Sequence, residues 1–183
     1  MLGSHWLREE GMLGAVERLT VTDDTLDFSS VEPNSYHASV IIDFIRRCLL
    51  ESGTSFTVET VMSHPGKVAW LEDAQKRHWR TYLYYIATDD PEICVARVRH
   101  RVATGGHGVP DDKIIGRYHR SLAQLYSAIR QSNRAFIFDN SATTVEQQKW
   151  IAEVTDGRHV ELKVTEVPSW FQEAVLTRVC RPT

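Results

Sequence analysis

Five arginines lie within the segment from Arg97 to Leu122, although the chain as a whole carries a formal net charge of −3. They sit on two predicted helices, Pro91 to Ala103 and Asp112 to Ser132, which a Gly-Gly-His-Gly turn separates. Glycine adopts left-handed backbone angles at little cost, so this turn can act as a hinge. Arginine binds phosphate oxygens in pairs through its planar guanidinium and stays charged. This arginine segment (residues 97–122) therefore predicts a mobile helical lid that closes over a phosphate group.

Arg117 and Arg120 belong to the second of these helices, and a spacing of three residues places them on one helix face. An apolar stripe runs beside them: Ile115, Tyr118, Leu122, Leu125 and Ile129. Two interpretations are open for the arginines, a solvated helix face or the inner surface of the lid. Arg101, at the end of the first helix, either anchors the lid or reaches a phosphate. The lid interpretation predicts that Arg117 and Arg120 contact a transferring phosphoryl group, where one arginine can contribute a factor of roughly 10³–10⁵ in rate.

Three mostly apolar segments rich in strand-forming residues predict β-strands: Ser55 to Val61, Thr81 to Ala87 and Arg134 to Phe138. Helical periodicity predicts a helix over Asn34 to Glu51, before the first strand, and another over Gly66 to His78, after it. Alternating strands and helices are typical of an α/β fold in which helices flank a parallel sheet. The sequence therefore predicts that fold class.

The two ends of the chain carry weaker signals. A short helix is predicted from Trp6 to Arg18, and the segment from Leu19 to Phe28 is either a hairpin or an irregular arm. Toward the other end, Asp-Gly between the apolar segments 150–154 and 160–164 is a hairpin signal. A final helix is predicted from Pro168 to about Val179. A small hairpin and a helix thus complete a chain interpreted as a single domain over residues 1–183.

Polar residues follow each of the predicted strands. Ligands of open parallel sheets bind outside the carboxyl ends of the strands, so these residues are expected to line one crevice. They are Glu59, Thr60, Ser63 and His64 after the first strand, Thr88 and Asp89 after the second, and Asp139, Asn140 and Ser141 after the third. The arginine segment follows the second strand's helix and can close over this edge. Phosphoryl transfer depends chiefly on such positioning and charge stabilisation.

Several of these residues have a second interpretation. Glu59 could instead be the ion-pair partner of an arginine. Asp89 and Asp90 could bind magnesium, yet Asp-Asp-Pro is also a common helix start, and we favour the helix cap. Three histidines are more simply polar residues than catalytic or metal-binding ones, since no second ligand stands at a suitable spacing: His64, His107 and His119. No metal site is predicted from these spacings.

Composition narrows the class of protein. With 183 residues, 42% of them hydrophobic, the chain can bury the core of one domain. No run approaches the ~20 apolar residues of a membrane span. The N-terminus offers no charged start followed by a long apolar block, so we expect no export signal. The three cysteines lack metal-ligand spacing, which favours free thiols and a cytoplasmic location. We therefore predict no membrane partner. The sequence pI near 6.2 also argues against general nucleic-acid binding, and a small anion stays open as the ligand of the local basic patch.

Four strings resemble, in order and spacing, the zeta-toxin-like family of P-loop small-molecule kinases: SFTVETVMSHPGK, YLYYIATDDPEICVARVRHRV, GGHGVPDDKIIGRYHRSL and RAFIFDNS. The match is best over residues 36–141, and the closing TDGRHVELKVTEVPSWF is similar to the tail of one bacterial branch. The resemblance implies a P-loop NTPase-like fold with ATP and magnesium as cosubstrates. It implies phosphorylation of a hydroxyl on a small metabolite, which is a UDP-activated amino sugar for the founding toxins. An antitoxin protein becomes a candidate partner.

The resemblance also assigns roles to individual residues. Glu59 and Thr60 match the strand-end acidic motif of the substrate crevice, where the carboxylate would hold a hydroxyl or organise magnesium. Arg117 and Arg120 match the lid arginines that neutralise the phosphate chain. Asn140 matches the position near the nucleotide base. The family resemblance and the glycine hinge together favour the lid over a solvated helix face.

One departure from the family pattern is large. The phosphate loop G-x-x-x-x-G-K-[ST] is absent, because the only Gly-Lys pair, Gly66-Lys67, is followed by Val68, and Val61 stands where the first glycine should be. Family members carry this loop and a catalytic aspartate before the region that corresponds to Trp6. The sequence is therefore interpreted as a truncated kinase, expected to be inactive alone. The alternative is a non-catalytic remnant that binds a nucleotide or a partner protein.

Overall fold

The computed structural model describes residues 17–18, 20–23, 25–30, 35–142 and 147–179. The chain divides into two compact units, Met1–Val58 and Glu59–Thr183. The helix predicted from Trp6 to Arg18 falls almost wholly outside the described residues.

The described part of the first unit contains a two-stranded hairpin and one long helix. Strand β1 (Thr20–Thr22) pairs antiparallel with β2 (Thr25–Asp27), which selects the hairpin from the two interpretations of this segment. Helix α1 spans Ser35–Glu51, as its periodicity predicts. It ends where the N–H of Thr54 donates to the C=O of Leu49 at 3.0 Å and Gly53 adopts a φ of +75°. This left-handed residue closes the helix at the predicted place.

The second unit is built on a four-stranded sheet of order β3-β4-β5-β6. The strands are β3 (Tyr82–Ala87), β4 (Arg134–Asp139), β5 (Lys149–Thr155) and β6 (His159–Leu162). β3 and β4 are parallel, whereas β5 and β6 each run antiparallel to the preceding strand. The α/β class and the Asp-Gly hairpin are confirmed. The expectation of a parallel sheet is wrong, because the hairpin extends the same sheet that holds the parallel pair.

Helices precede and follow the strands of this unit close to their predicted bounds. They are α2 (Pro65–Lys76), α3 (Pro91–Ala103) and α4 (Asp111–Arg130). Helix α5 covers residues 169–179, with a π-helical turn over Gln172–Leu176 between two short α-helical ends. The predicted start of α3 is confirmed, since the Oδ1 of Asp90 accepts from the N–H of Glu92 at 2.9 Å and Pro91 follows as the first helical residue.

The two faces of this sheet differ in burial. On one face, apolar side chains pack against α4 and α5 in one buried cluster that includes Leu125, Ile137, Ile151 and Phe171. Side chains alternate between the faces of a strand, so the intervening residues point the other way. We call that other side the open face, and its large side chains are Tyr82, Tyr84, Ile86, Phe136, Phe138 and Trp150. The three from β3 are 47, 65 and 57% exposed, in chain order.

The strand predicted from Ser55 to Val61 does not form. Residues 54–63 have no regular secondary structure, and Phe56, Val58 and Val61 are 36, 38 and 57% exposed. A strand is stable only when its backbone N–H and C=O groups find partners. In the described part of the chain no other strand pairs with this segment. Strand propensity reflects the fit of side chains to a partnered sheet and cannot supply the partner.

Candidate functional site

The carboxyl ends of β3 and β4 meet because the two strands are parallel and in register. There the backbone N–H of Asp89 donates to the Oγ of Ser141 at 2.8 Å. The N–H of Ser141 in turn donates to Oδ1 of Asp139 at 2.9 Å. The prediction that Asp89, Asp139 and Ser141 lie at one edge of the sheet is therefore confirmed.

Asp139 has a second partner that the sequence does not reveal. The indole Nε1 of Trp170, on α5, donates to Oδ2 of Asp139 at 2.8 Å. Both side chains are buried, with 7% of Asp139 and 4% of Trp170 exposed. Asp139 thus joins helix α5 to the end of β4. No local sequence signal points to this contact, because the two residues are 31 positions apart.

A cleft of about 400 Å³ opens beside this network, between α4 and α5. Its polar and aromatic lining comes from the loop after β3, from α4 and from α5: Asp89, Tyr118, His119, Ser169, Trp170, Glu173 and Arg178. Desolvation of its carboxyl raises the pKa of Asp89, although the residue as a whole is exposed, and the nearby charge of Asp139 raises it further. The cleft therefore offers groups of both charges together with aromatic surface.

Two tyrosines fix α4 against β3. The hydroxyl of Tyr118 donates to the C=O of Thr88 at 2.8 Å. The hydroxyls of Tyr85 and Ser121 share a hydrogen bond of 3.1 Å. Burial is the main cause that raises the pKa of both tyrosines to about 12. These contacts hold the arginine-bearing half of α4 at the carboxyl end of β3.

The raised pKa values predict alkaline destabilisation. A phenol whose folded pKa of about 12 exceeds its ordinary value of 10.0 binds its proton more tightly in the folded chain. The stability is fully present below the ordinary pKa and falls as the pH rises toward the folded pKa. Ultraviolet absorbance titration should show two tyrosines ionising near pH 12, and Tyr85→Phe and Tyr118→Phe should each remove one of them. Completion of all tyrosine ionisation near pH 10 in the folded wild-type chain would contradict this prediction.

Three of the five arginines in the arginine segment are bound to other groups of the protein. Arg97 donates through Nη2 to the C=O of Asn140 at 2.7 Å and to the C=O of Ala142 at 2.9 Å. The Nη2 of Arg99 lies 2.5 Å from Oδ2 of Asp111, which joins α3 to α4. Arg101 donates to the C=O of His107 at 3.2 Å, so it anchors the turn. Of the two interpretations of Arg101, this contact supports the one in which it anchors the turn.

The remaining two arginines make no such contacts among the described residues. Arg117 and Arg120 are exposed, and neither has a hydrogen-bond or ion-pair partner among the residues that the structure describes. The Nη1 of Arg120 lies over Gly116, 3.0 Å from the point where a Cβ would stand. Tyr118, between them in sequence, contacts the C=O of Thr88, the residue after β3. The helix therefore presents two unpaired cations beside a residue that reaches the carboxyl edge of the sheet.

The side-chain contacts that the structure describes for the four residues predicted after the first strand are local. Glu59 and Thr60 are exposed, and the Oγ1 of Thr60 accepts from the N–H of Met62 at 3.2 Å. His64 caps α2, because its Nδ1 accepts from the N–H of Gly66 at 3.1 Å, and Ser63 precedes it. Within the described ranges, no hydrogen bond or ion pair joins these four side chains to Asp89, Asp139 or the arginine segment. Their substrate-binding role stays a prediction.

Asn140 contributes its backbone to the edge. Its N–H donates to the C=O of Ala87 at 2.7 Å, and its C=O accepts from Arg97. The Asp-Asn-Ser segment (residues 139–141) is therefore held between β3 and the arginine segment. The predicted place of Asn140 near a nucleotide base stays a prediction.

No group of three or more His, Cys, Asp or Glu side chains suited to a metal ion occurs in the part of the chain that the structure describes. In the same residues, no helix is both long enough and apolar enough to cross a membrane. Comparison with models of protein families, with curated proteins and with solved structures found no match for this chain.

Proposed function

We propose that this chain carries the phosphate-binding arginines of a zeta-toxin-like small-molecule kinase and is inactive as a kinase by itself. The observation that supports the proposal most is that three of the five arginines have partners within the protein and two do not. Arg97, Arg99 and Arg101 are occupied within the protein, whereas Arg117 and Arg120 are exposed and unpaired in the described residues. Unpaired guanidinium groups remain available for a phosphate-bearing ligand, which they can bind through paired hydrogen bonds.

The position of these arginines supports the same proposal. They flank Tyr118 in sequence, and the Tyr118 hydroxyl contacts the C=O of Thr88, the residue after β3. The cleft between α4 and α5 is lined by Asp89, Trp170 and Arg178, and neither Arg117 nor Arg120 is among its lining residues. The region around the carboxyl ends of β3 and β4 thus carries polar groups in the Asp-Asn-Ser segment (residues 139–141) and aromatic surface in the cleft, and α4 carries the two cations. A nucleotide or a nucleotide-sugar combines the matching features, namely phosphate, a flat ring and hydroxyls.

The described residues alone do not form a phosphate-loop site for ATP with magnesium. Phosphates bind well at helix N-termini, where free N–H groups and the helix dipole favour anions. Here α2 begins with a proline and a histidine cap, α3 begins with a proline and an aspartate cap, and α4 follows Pro110 and carries Asp111 and Asp112 in its first turn. None of these starts offers an anion site. The proposal is therefore one of ligand binding, and no phosphoryl-transfer step is derived from these residues.

Isothermal titration calorimetry of the full chain with ATP and with a UDP-amino sugar tests this proposal. We expect one of them to bind, with Arg117→Ala and Arg120→Ala each weakening binding about tenfold or more, since a hydrogen bond to a charged group contributes about 1.5–3 kcal/mol. Raising the salt concentration should weaken binding further. Without an added phosphate loop, we expect no measurable ATP turnover.

Arg77→Ala is the matched control, because it removes the same charge from the exposed residue that follows α2, where Arg77 pairs with Asp73. This variant should bind as the wild-type chain does. Absence of binding to both ligands, or equal losses in Arg77→Ala and Arg117→Ala, would refute the arginine site. ATP turnover that Arg117→Ala abolishes would instead overturn the predicted inactivity.

A further inference from the structure

The outer edge of β3 carries backbone groups without partners among the described residues. The carbonyls of Thr81 and Ala87 accept hydrogen bonds from the β4 side, where Asn133, Arg134 and Asn140 are the donors. Backbone groups of successive strand residues point to opposite edges. The N–H and C=O groups of Tyr82, Tyr84 and Ile86 therefore point away from β4, and in the described sheet no strand lies on that side.

This edge lacks the features that keep exposed strands from pairing. Natural edge strands are usually short, charged, bulged or interrupted by proline. Strand β3 has the sequence YLYYIA, with no charge, proline or glycine, and it pairs with β4 without a bulge over its whole length. The side chains of Tyr82, Tyr84 and Ile86 are also exposed on the open face. There the ring of Tyr84 stacks on that of Phe136, with ring centroids 4.9 Å apart. Such a strand is a template for pairing with another chain.

We propose that β3 pairs with β3 of a second copy of this chain, antiparallel across a two-fold axis at Tyr84. In this register the Tyr84 residues of the two copies face each other, and Tyr82 faces Ile86 on both sides. All three outward-pointing residues then lie in hydrogen-bonded pairs, so each outward N–H meets a C=O of the other copy. Pairing joins two four-stranded sheets into one of eight strands and lets the open faces continue across the axis.

Charge favours a second copy with this orientation. Arg80 precedes β3, whereas Asp89 and Asp90 follow it, and all three are exposed. Antiparallel pairing brings the start of one strand beside the end of the other, so opposite charges meet at both ends of the joined strands. A parallel neighbour would place Arg80 beside Arg80 and would therefore place like charges together. The arrangement is closed, because a two-fold axis uses the same edge of both copies.

Sedimentation equilibrium of the full chain over a wide concentration range tests the dimer. We expect a reversible dimer that Tyr84→Lys weakens about tenfold or more, since the two new charges would stand directly opposite each other. Tyr84→Pro should weaken it similarly by removing two N–H donors across the axis, while no hydrogen bond of the single chain is lost. Tyr84→Phe, the matched control, keeps the ring and should leave the dimer unchanged.

A cysteine variant tests the register. In a hydrogen-bonded antiparallel pair the facing Cα atoms lie about 5.5 Å apart, within the range that a disulfide spans. Tyr84→Cys should therefore crosslink two chains on oxidation. Tyr82→Cys should not, because residue 82 faces residue 86 of the other copy. A chain that is monomeric at every concentration, a dimer that neither Tyr84→Lys nor Tyr84→Pro weakens, or crosslinking at 82 rather than 84 would overturn the proposal. These results do not depend on phosphate binding at Arg117 and Arg120.

Discussion

Replacing Gly157 with alanine is expected to lower the free energy of unfolding by about 3 kcal/mol. Gly157 lies in the turn between β5 and β6 with a φ of +63°, which costs an L-residue roughly 1–2 kcal/mol. A Cβ at this position would also stand 2.8 Å from the Cα of Arg130 and 2.9 Å from its carbonyl oxygen. Both are backbone atoms at the end of α4, so relief of the clash requires the hairpin or the helix to move.

Gly105→Ala separates the cost of the positive φ from the cost of the clash with Arg130. Gly105 also has a positive φ, of +94°, but a Cβ there would meet no atom within 4 Å. Gly105→Ala should therefore lower the free energy of unfolding only by the cost of the left-handed backbone angle, roughly 1–2 kcal/mol. Urea unfolding followed by tryptophan fluorescence measures both variants. Similar losses for the two would show that the approach of the hairpin to α4 is looser than the structure indicates.

The helices were predictable from the sequence because their signals are local. In α4, Leu125 and Ile129 of the predicted stripe are buried against the sheet, and periodicity alone reveals such a stripe. The start of α3 was equally accessible, since an aspartate followed by proline specifies a capped helix end within a few residues. The Asp-Gly hairpin belongs to the same group. In each case the stabilising contacts join residues close together in the chain.

The sheet and the site depend on contacts between distant residues, which local patterns do not encode. Residues 55–61 have the propensity of a strand, yet they form none, because a strand also needs a partner beside it. The identity of the unpaired arginines was likewise open. Sequence placed all five in one segment, and only the positions of Asp111, Asn140 and the 107 carbonyl show which three are occupied.

The contact between Asp139 and Trp170 leads to the second large effect. Asp139→Ala is expected to lower the free energy of unfolding by about 3 kcal/mol, since it removes the acceptors of two N–H groups, those of Trp170 and Ser141. The buried indole N–H of Trp170 would lose its partner in a place with little access to water. Helix α5 and the Asp-Asn-Ser segment should both loosen, so the cleft beside Asp89 should lose its shape together with stability.

Two further variants distinguish a specific hydrogen bond from general packing. Asp139→Asn keeps the size of the side chain and one acceptor oxygen, so it should cost less than Asp139→Ala. In a Trp170→Phe background, Asp139→Ala should cost about 1 kcal/mol less than in the wild-type chain, because the donor is already gone. Removing the charge at 139 should also lower the pKa of Asp89, which NMR titration measures. Strictly additive losses with an unchanged Asp89 pKa would mean that this network does not hold the edge of the sheet together.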